Sequence, residues 1–445
     1  MPSQGSIGDR VRGLRLSRRM SQAQLAGPDL SDSYVSLIES GKRTPTPVVA
    51  RLLAERLGCT TEFLLHGIEP RQRIDTELGL RHAELELHHG DPAVAADRFG
   101  EIVKAADEDN VMLAAQARLG RARAMERQGK VGRAVEAYER LRKEAAAHPE
   151  RLADLPLAVA LCRCYQRAGD LLRAKDLGAH ALAQVEKLGL VHGDVAVDLA
   201  AILAEIETGL PYVERVLDAN GLPDAVDRTN EIQSLWQASI AASEGEDSAL
   251  AVTLADDALA AGRAGRLAVR TAQVAMQWAR IITARPTVDE EFAHAAELAG
   301  KASDILGVFP AEHVEHARSL TVLAHVKMRG GDHAAADELA TRTLERLGET
   351  QGVIAASAHL IHAHVALARS AGDVVPTLMK AQELLQNGQA AGPDREAARV
   401  WRELGDLWGK AGSRHEQFSA YRRALEAVGI RANMPGSTAA AVLTH

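Results

Sequence analysis

Residues Ser21 to Gly41 read SQAQLAGPDLSDSYVSLIESG, and the fold follows from this stretch outward. Ser21 stands three residues before Gln24, the reciprocal spacing that caps a helix at its start. Leu25 and Ala26 supply that helix with a buried side, and Gly27-Pro28 ends it early. Ser31 is placed to cap a second helix over Asp32 to Ser40. Val35 and Ile38 face inward there, while Asp32, Ser33, Ser36 and Leu37 lie toward the other sides. Gly41 closes the helix. Two short helices joined by a tight turn form the geometry that presents a second helix to the DNA major groove.

On either side the pattern stays helical. Val11 and Leu14 have the spacing of a buried face, which predicts a first helix from Ile7 to Arg19. Thr46 caps and Pro47 opens a fourth helix running to Leu57. Thr60 or Thr61 starts a short fifth one through Phe63 and Leu65, and His66 to Pro70 reads as a linker. Lys42-Arg43-Thr44, directly after the second helix of the motif, should lie along a sugar–phosphate backbone.

The motif resembles the helix-turn-helix of the phage-repressor-like (Xre) family. The resemblance is carried by Ser21-Gln22, Leu25-Ala26, Ser31, Val35-Ser36, Ile38-Glu39 and Gly41, with Arg15 upstream, and covers roughly residues 7 to 66. The turn holds four residues, Gly27 to Leu30, where the family usually has five. The resemblance implies that Arg15 pairs with Glu39 and ties the first helix to the recognition helix; the alternative assigns Arg15 to a phosphate. It implies that Gln22 contacts a phosphate or orients the recognition helix, and that Asp32, Ser33 and Leu37 occupy base-edge positions with Ser36 nearby. Tyr34 would touch the DNA backbone or pack. Arg12, Arg18, Lys42 and Arg43 are the phosphate candidates, with a solvated surface charge as the plainer reading of each. A small bundle used only for packing is the competing reading of the whole domain.

Composition argues against a general polyanion binder. The chain has 445 residues, 46% hydrophobic but only 3% aromatic, and a net charge of −8. That charge is uneven: residues 1–70 hold nine Lys/Arg against seven Asp/Glu, whereas the remainder holds 43 against 53. Cationic side chains therefore concentrate where phosphate contact is expected. Cys59, Cys162 and Cys164 make no disulfide framework, and Cys162-Arg163-Cys164 lacks zinc-ligand spacing. No apolar signal region or membrane-length apolar run occurs, so a cytoplasmic location is expected.

Beyond residue 70 the chain repeats. Turn pairs occur at Gly90-Asp91, Gly129-Lys130, Gly169-Asp170, Gly245-Glu246, Gly331-Asp332, Gly372-Asp373 and Gly412-Ser413, with gaps of 39, 40, 76, 86, 41 and 40 residues. The two long gaps each hide a repeat, with degenerate turns at Gly209 and near Arg285-Pro286. The last unit, with Trp401, Leu404, Gly405, Trp408, Gly412, Tyr421 and Ala424, resembles a tetratricopeptide repeat, in which large residues of one helix sit over small ones of the next. The expected fold is all-α: a five-helix helix-turn-helix domain over 1–66, a linker over 67–75, and an α-solenoid of about nine tetratricopeptide-like helical pairs over 76–430. The tail over 431–445 should be loose. Such a stack offers a concave binding face.

No phosphate loop, nucleophile elbow or metal-binding helix motif is present, so neither an enzyme nor a cofactor is expected. His313 and His316, and the group His359, His362 and His364, read as polar helix faces rather than a metal site. Positions 3, 6, 10 and 13 before each turn glycine share one helical face. That face collects Arg123, Arg163, Gln166, Arg318, His325, His359, His362, Arg369, Arg399 and Arg402. It suggests a groove for an anionic ligand or a carboxylate end; pairing with neighbouring Glu and Asp is the equal alternative. The expected protein is a sequence-specific DNA-binding transcriptional regulator whose repeats bind a small-molecule or peptide effector and mediate homodimerisation. The architecture resembles quorum-sensing regulators that bind peptides in a tetratricopeptide groove, although this chain has few asparagines to hold a peptide backbone. The alternative is a protein-interaction scaffold with a vestigial helix-turn-helix.

Overall fold

The structure is a computed structural model describing residues 6–430, apart from 67–69, 106–110, 246, 286–288, 348–351, 371–372 and 389–393. The described residues are all-α, with no strand among them. The amino-terminal bundle comprises α1 (Ile7–Ser17), α2 (Gln22–Ala26), α3 (Asp32–Glu39), α4 (Pro47–Arg56) and α5 (Thr61–His66). Ser6 and Asp9 form a capping box on α1, Ser21 and Gln24 one on α2, and Ser31 and Thr46 cap α3 and α4. Helix α1 ends two residues before Arg19, because Arg19 adopts a left-handed backbone (φ 56°) that turns the chain toward α2.

Val11, Leu25, Val35, Ile38, Leu53, Leu57 and Leu64 form the buried core of this bundle. Gly8 makes the close approach of α1 to the end of α3 possible: a Cβ there would lie 2.3 Å from the Ile38 carbonyl oxygen. Two arginines stitch the bundle's rim. Arg10 donates to the Leu64 and Leu65 carbonyls at 3.1 and 2.6 Å. Arg56 donates to the Leu25 and Ala26 carbonyls and pairs with Asp29, so it holds the shortened turn before α3.

The repeat helices follow in order: α6 (Pro70–His89), α7 (Pro92–Ala105), α8 (Val111–Arg127), α9 (Val131–Ala147), α10 (Asp154–Arg167), α11 (Leu171–Leu188), α12 (Asp194–Glu205), α13 (Leu210–Asn220) and α14 (Thr229–Glu244). Then come α15 (Ser248–Thr283), α16 (Asp289–Val308), α17 (His313–Arg329), α18 (His333–Leu347), α19 (Gly352–Ala368), α20 (Val375–Asn387), α21 (Arg395–Lys410) and α22 (Arg414–Ala427). Of the linker expected over 67–75, residues 67–69 lie outside the described residues, and α6 is already helical from Pro70. Gly372, Pro286 and the tail over 431–445 also lie outside them. Pro92, Pro211 and Pro376 occupy first turns, where a missing N–H costs nothing.

Four turns place a glycine with positive φ two residues after the first helix of a pair: Gly129, Gly169, Gly331 and Gly412 have φ between 72° and 84°. Two repeats put another residue there. Glu207 (φ 55°) takes the position after α12, and Ser370 (φ 52°) takes it after α19. The degenerate turn assigned to Gly209 therefore centres two residues earlier, and Gly209 instead precedes α13 with φ 62°. Helix α15 runs 36 residues without a break, so one helix spans what the period divides between two repeats.

By its contacts the chain forms two compact units, Met1–Gln128 with Asn230–Ala260, and Gly129–Thr229 with Ala261–His445. In the first, α6 is tied to distant helices: Arg81 pairs with Asp256 at 2.7 Å, and His82 Nε2 lies 2.9 Å from Ser239 Oγ. In the second, consecutive helices pack around a large alanine- and valine-rich core that buries Trp278 and Tyr212. Its last pair shows the large-over-small fit: Trp401 and Trp408 are buried, and a Cβ on Gly405 would meet the Tyr421 ring at 2.6 Å.

Candidate functional site

Helix α3 presents a polar face made by its own periodicity. Val35, Ile38 and Glu39 are buried, which leaves Asp32, Ser33, Ser36 and Leu37 exposed on the opposite side. Ser31 Oγ accepts from the Tyr34 amide at 3.1 Å and fixes the start of the helix. Asp32 accepts from the Ser33 amide at 3.1 Å. After the helix, Gly41 turns the chain with φ 69°, and the Leu37 carbonyl accepts from the Lys42 and Arg43 amides at 3.0 and 3.2 Å. Lys42, Arg43 and Thr44 are exposed beside the face. The Arg43 guanidinium stacks over the half-buried Tyr34 ring at 4.9 Å, so the two side chains position each other. Arg12 and Arg18 are also exposed, and Arg18 reaches the Gly58 carbonyl at 3.3 Å.

Behind this face lies a buried charge pair. Arg15 Nε and Nη2 bond Glu39 Oε1 and Oε2 at 2.6 and 3.0 Å, and Arg15 also donates to the Met20 carbonyl. Gln22 donates to Glu39 Oε2 at 2.8 Å, which commits its amide to orienting α3. Burial works to raise the Glu39 pKa, but the hydrogen bonds from Arg15 and Gln22 outweigh it and hold the carboxyl below its ordinary range.

The second unit contains an open cavity of about 900 Å³ between the ends of α10, α12 and α15 and the facing sides of α17, α19 and α21. Of the ten groove residues read from the sequence, Gln166, Arg318, His325, Arg399 and Arg402 line it. Arg123, Arg163, His359, His362 and Arg369 lie elsewhere. Arg123 is exposed in the first unit, and Arg163 pairs with Asp198 at 3.4 Å. His359 and His362 of α19, with Arg369 just after it, lie off the lining for one reason. Ser370 carries a left-handed backbone two residues after the end of α19, the place glycine takes in four other repeats, so a face counted back from Gly372 is two residues out of phase. The stripe that lines the cavity is Ile354, Ser357 and His364. His362 lies away from it, bonded to Asp337 at 2.7 Å and 6.5 Å from the His359 ring, and Arg369 is exposed past the helix end.

Several lining cations have internal partners. Arg318 pairs with Glu396 at 2.8 Å and with Glu315. Arg395 donates to the Glu205 carbonyl at 2.9 Å. Glu403 accepts from His325 at 3.0 Å and lies 3.5 Å from His364. Burial disfavours charge on His325, but the Glu403 carboxylate more than compensates and pushes its pKa up to about 9. Sequence reasoning missed Arg167, Arg280, Arg329 and Arg395 in the same wall. Arg395 lies one turn before Arg399 on α21, a signal that was available; Arg280 precedes a turn with no glycine to set the count.

The amino-terminal bundle is a helix-turn-helix domain of the phage-repressor-like (Xre) type: residues 11–64 match the helix-turn-helix family. No curated protein matches the chain in sequence. Among solved structures, the chain is similar to a Rap protein complexed with competence and sporulation factor, at 14% identity over 96% of this chain and 99% of that one, with a TM-score of 0.47. It is also similar to Bacillus thuringiensis PlcR in complex with the peptide PapR7 and DNA, at 14% identity over 71% and 98%, with a TM-score of 0.33. A third is ComR from S. thermophilus in complex with DNA and its signalling peptide ComS, at 12% identity over 95% and 99%, with a TM-score of 0.21.

Proposed function

We propose that the protein is a sequence-specific transcriptional regulator that lays α3 in the DNA major groove. We further propose that its repeat region binds a small-molecule or peptide effector in this cavity and joins two copies into a homodimer. The observation that carries this reading is the face of α3. Four side chains able to meet base edges or methyl groups stand exposed between cationic flanks, while the same helix is locked from behind by Arg15, Gln22 and Glu39. A bundle used only for packing has no need to fix a polar face so firmly.

Ser33 reads a base edge in this proposal, and Asp32 accepts from a cytosine amino group, with good pairs contributing about 1–3 kcal/mol of discrimination. Arg43, Lys42, Thr44, Arg12 and Arg18 contact phosphates, and Tyr34 steers Arg43. One helix-turn-helix reads a half-site, so the operator should hold two, roughly 34 Å apart. The test is footprinting and salt titration with two variants. Ser33→Ala should relax sequence preference at one position of each half-site, and Arg43→Ala should weaken binding evenly while the salt slope shrinks by about 0.9. Unaltered preference in the first, or an unaltered slope in the second, removes that residue from the interface.

A further inference from the structure

Two arginines in the cavity wall each keep one nitrogen without a hydrogen bond. Among the described residues, Arg280 Nη2 on α15 and Arg399 Nη2 on α21 are buried with no hydrogen-bond partner. Arg280 spends its Nε on Gln277 Oε1 at 3.0 Å, and Arg399 Nη2 faces the Glu207 carboxylate at 3.6 Å, an ion pair too long for a hydrogen bond. The two guanidiniums also act on each other: burial first, then the charge of Arg399, brings the Arg280 pKa down to about 10, against the opposing pull of Glu205, Glu207 and Glu396. Of these carboxylates, Glu396 is hydrogen-bonded to Arg318. A buried guanidinium N–H without a partner costs free energy, and two like charges in one low-dielectric wall add to it.

We infer that Arg280 and Arg399 form a binding site for an oxyanion, a carboxylate or phosphate group carried by the ligand of this cavity. An oxyanion seated there accepts from both open Nη2 groups and cancels their mutual repulsion, the charge-assisted arrangement for which guanidinium is suited. The rest of the ligand meets a partly apolar wall that includes Val322, Met328, Ile354 and Val400. The cavity's size lies within the range of ligand pockets. This inference rests on the proposed effector role of the cavity and specifies what the effector carries.

The experiment uses the full chain. Thermal unfolding is followed at pH 7 and constant ionic strength while chloride is exchanged for inorganic phosphate in one arm and acetate in another. The wild-type Tm should rise with at least one oxyanion, and the arm that responds distinguishes phosphate from carboxylate. Arg280→Gln and Arg399→Gln should each raise the half-saturating concentration about 10- to 100-fold. Arg280→Gln should fold with an anion-free Tm at or above wild type, since it removes a buried charge that lacks a full partner set. Three results overturn the site: no rise over chloride in either arm, an equal rise in both variants, or a lower anion-free Tm for Arg280→Gln. DNA binding is measured in parallel on the same samples. Oxyanion binding without DNA binding defeats the regulator reading alone, and the reverse defeats the site alone.

Discussion

Arg15 and Glu39 are 24 residues apart in sequence, yet their double hydrogen bond fixes the angle at which α3 leaves the bundle. Both side chains are nearly inaccessible, with exposures of 11% and 4%. Removing one partner of such a buried pair strands the other charge, so Glu39→Ala should destabilise the amino-terminal domain by about 3–5 kcal/mol, read from urea unfolding. His325 and Glu403 supply a second testable pair. The folded-state pKa of His325 is raised from 6.5 to about 9. Its stabilising contribution is therefore complete below 6.5 and disappears as pH rises through about 9. The Tm of the protein should fall over that window, and the fall should shrink in Glu403→Gln; a Tm that holds level across the window would show that the pair is not charged. The two pairs were not equally legible. The motif resemblance names Arg15 and Glu39, whereas Glu403 is 78 residues from His325 and no local pattern joins them.

At the scale of elements, the helix-turn-helix was legible almost to the residue, because each end carries its own local chemistry. Ser6, Ser21, Ser31 and Thr46 all cap as side-chain acceptors, and Gly27 and Gly41 turn the chain with positive φ. The repeats were legible in period but not in phase. Their phase depends on which residue adopts the left-handed turn, and the chain twice uses Glu207 or Ser370 where glycine is easiest. That two-residue slip moved the inferred ligand face of α19 to its far side. A side chain with a Cβ in this conformation costs roughly 1–2 kcal/mol, part of which glycine returns as flexibility of the unfolded chain. Ser370→Gly should therefore raise stability by up to about 1 kcal/mol, visible as a higher Tm. A lower Tm would mean that the serine has a role the turn does not reveal. Helix α15 was illegible for a related reason: Gly262 and Gly265 mark no break, and Gly265 instead makes room for the Phe309 ring, 3.3 Å from where a Cβ would stand.

For the molecule as a whole, the net charge of −8 keeps non-specific attraction to DNA low and places the burden of recognition on one small cationic region. In the proposed reading, ligand binding in the cavity shifts operator affinity, with coupling that must be reciprocal. Among the described residues no helix is long and apolar enough to cross a membrane. The most direct measurement selects duplexes bound by the full-length protein from a random-sequence pool at 150 mM salt and sequences them. The account predicts enrichment of one motif with two related half-sites about one helical turn apart, and a changed base preference in each half-site for Ser33→Ala. A pool that stays random, with binding that disappears evenly as salt is raised, would contradict it.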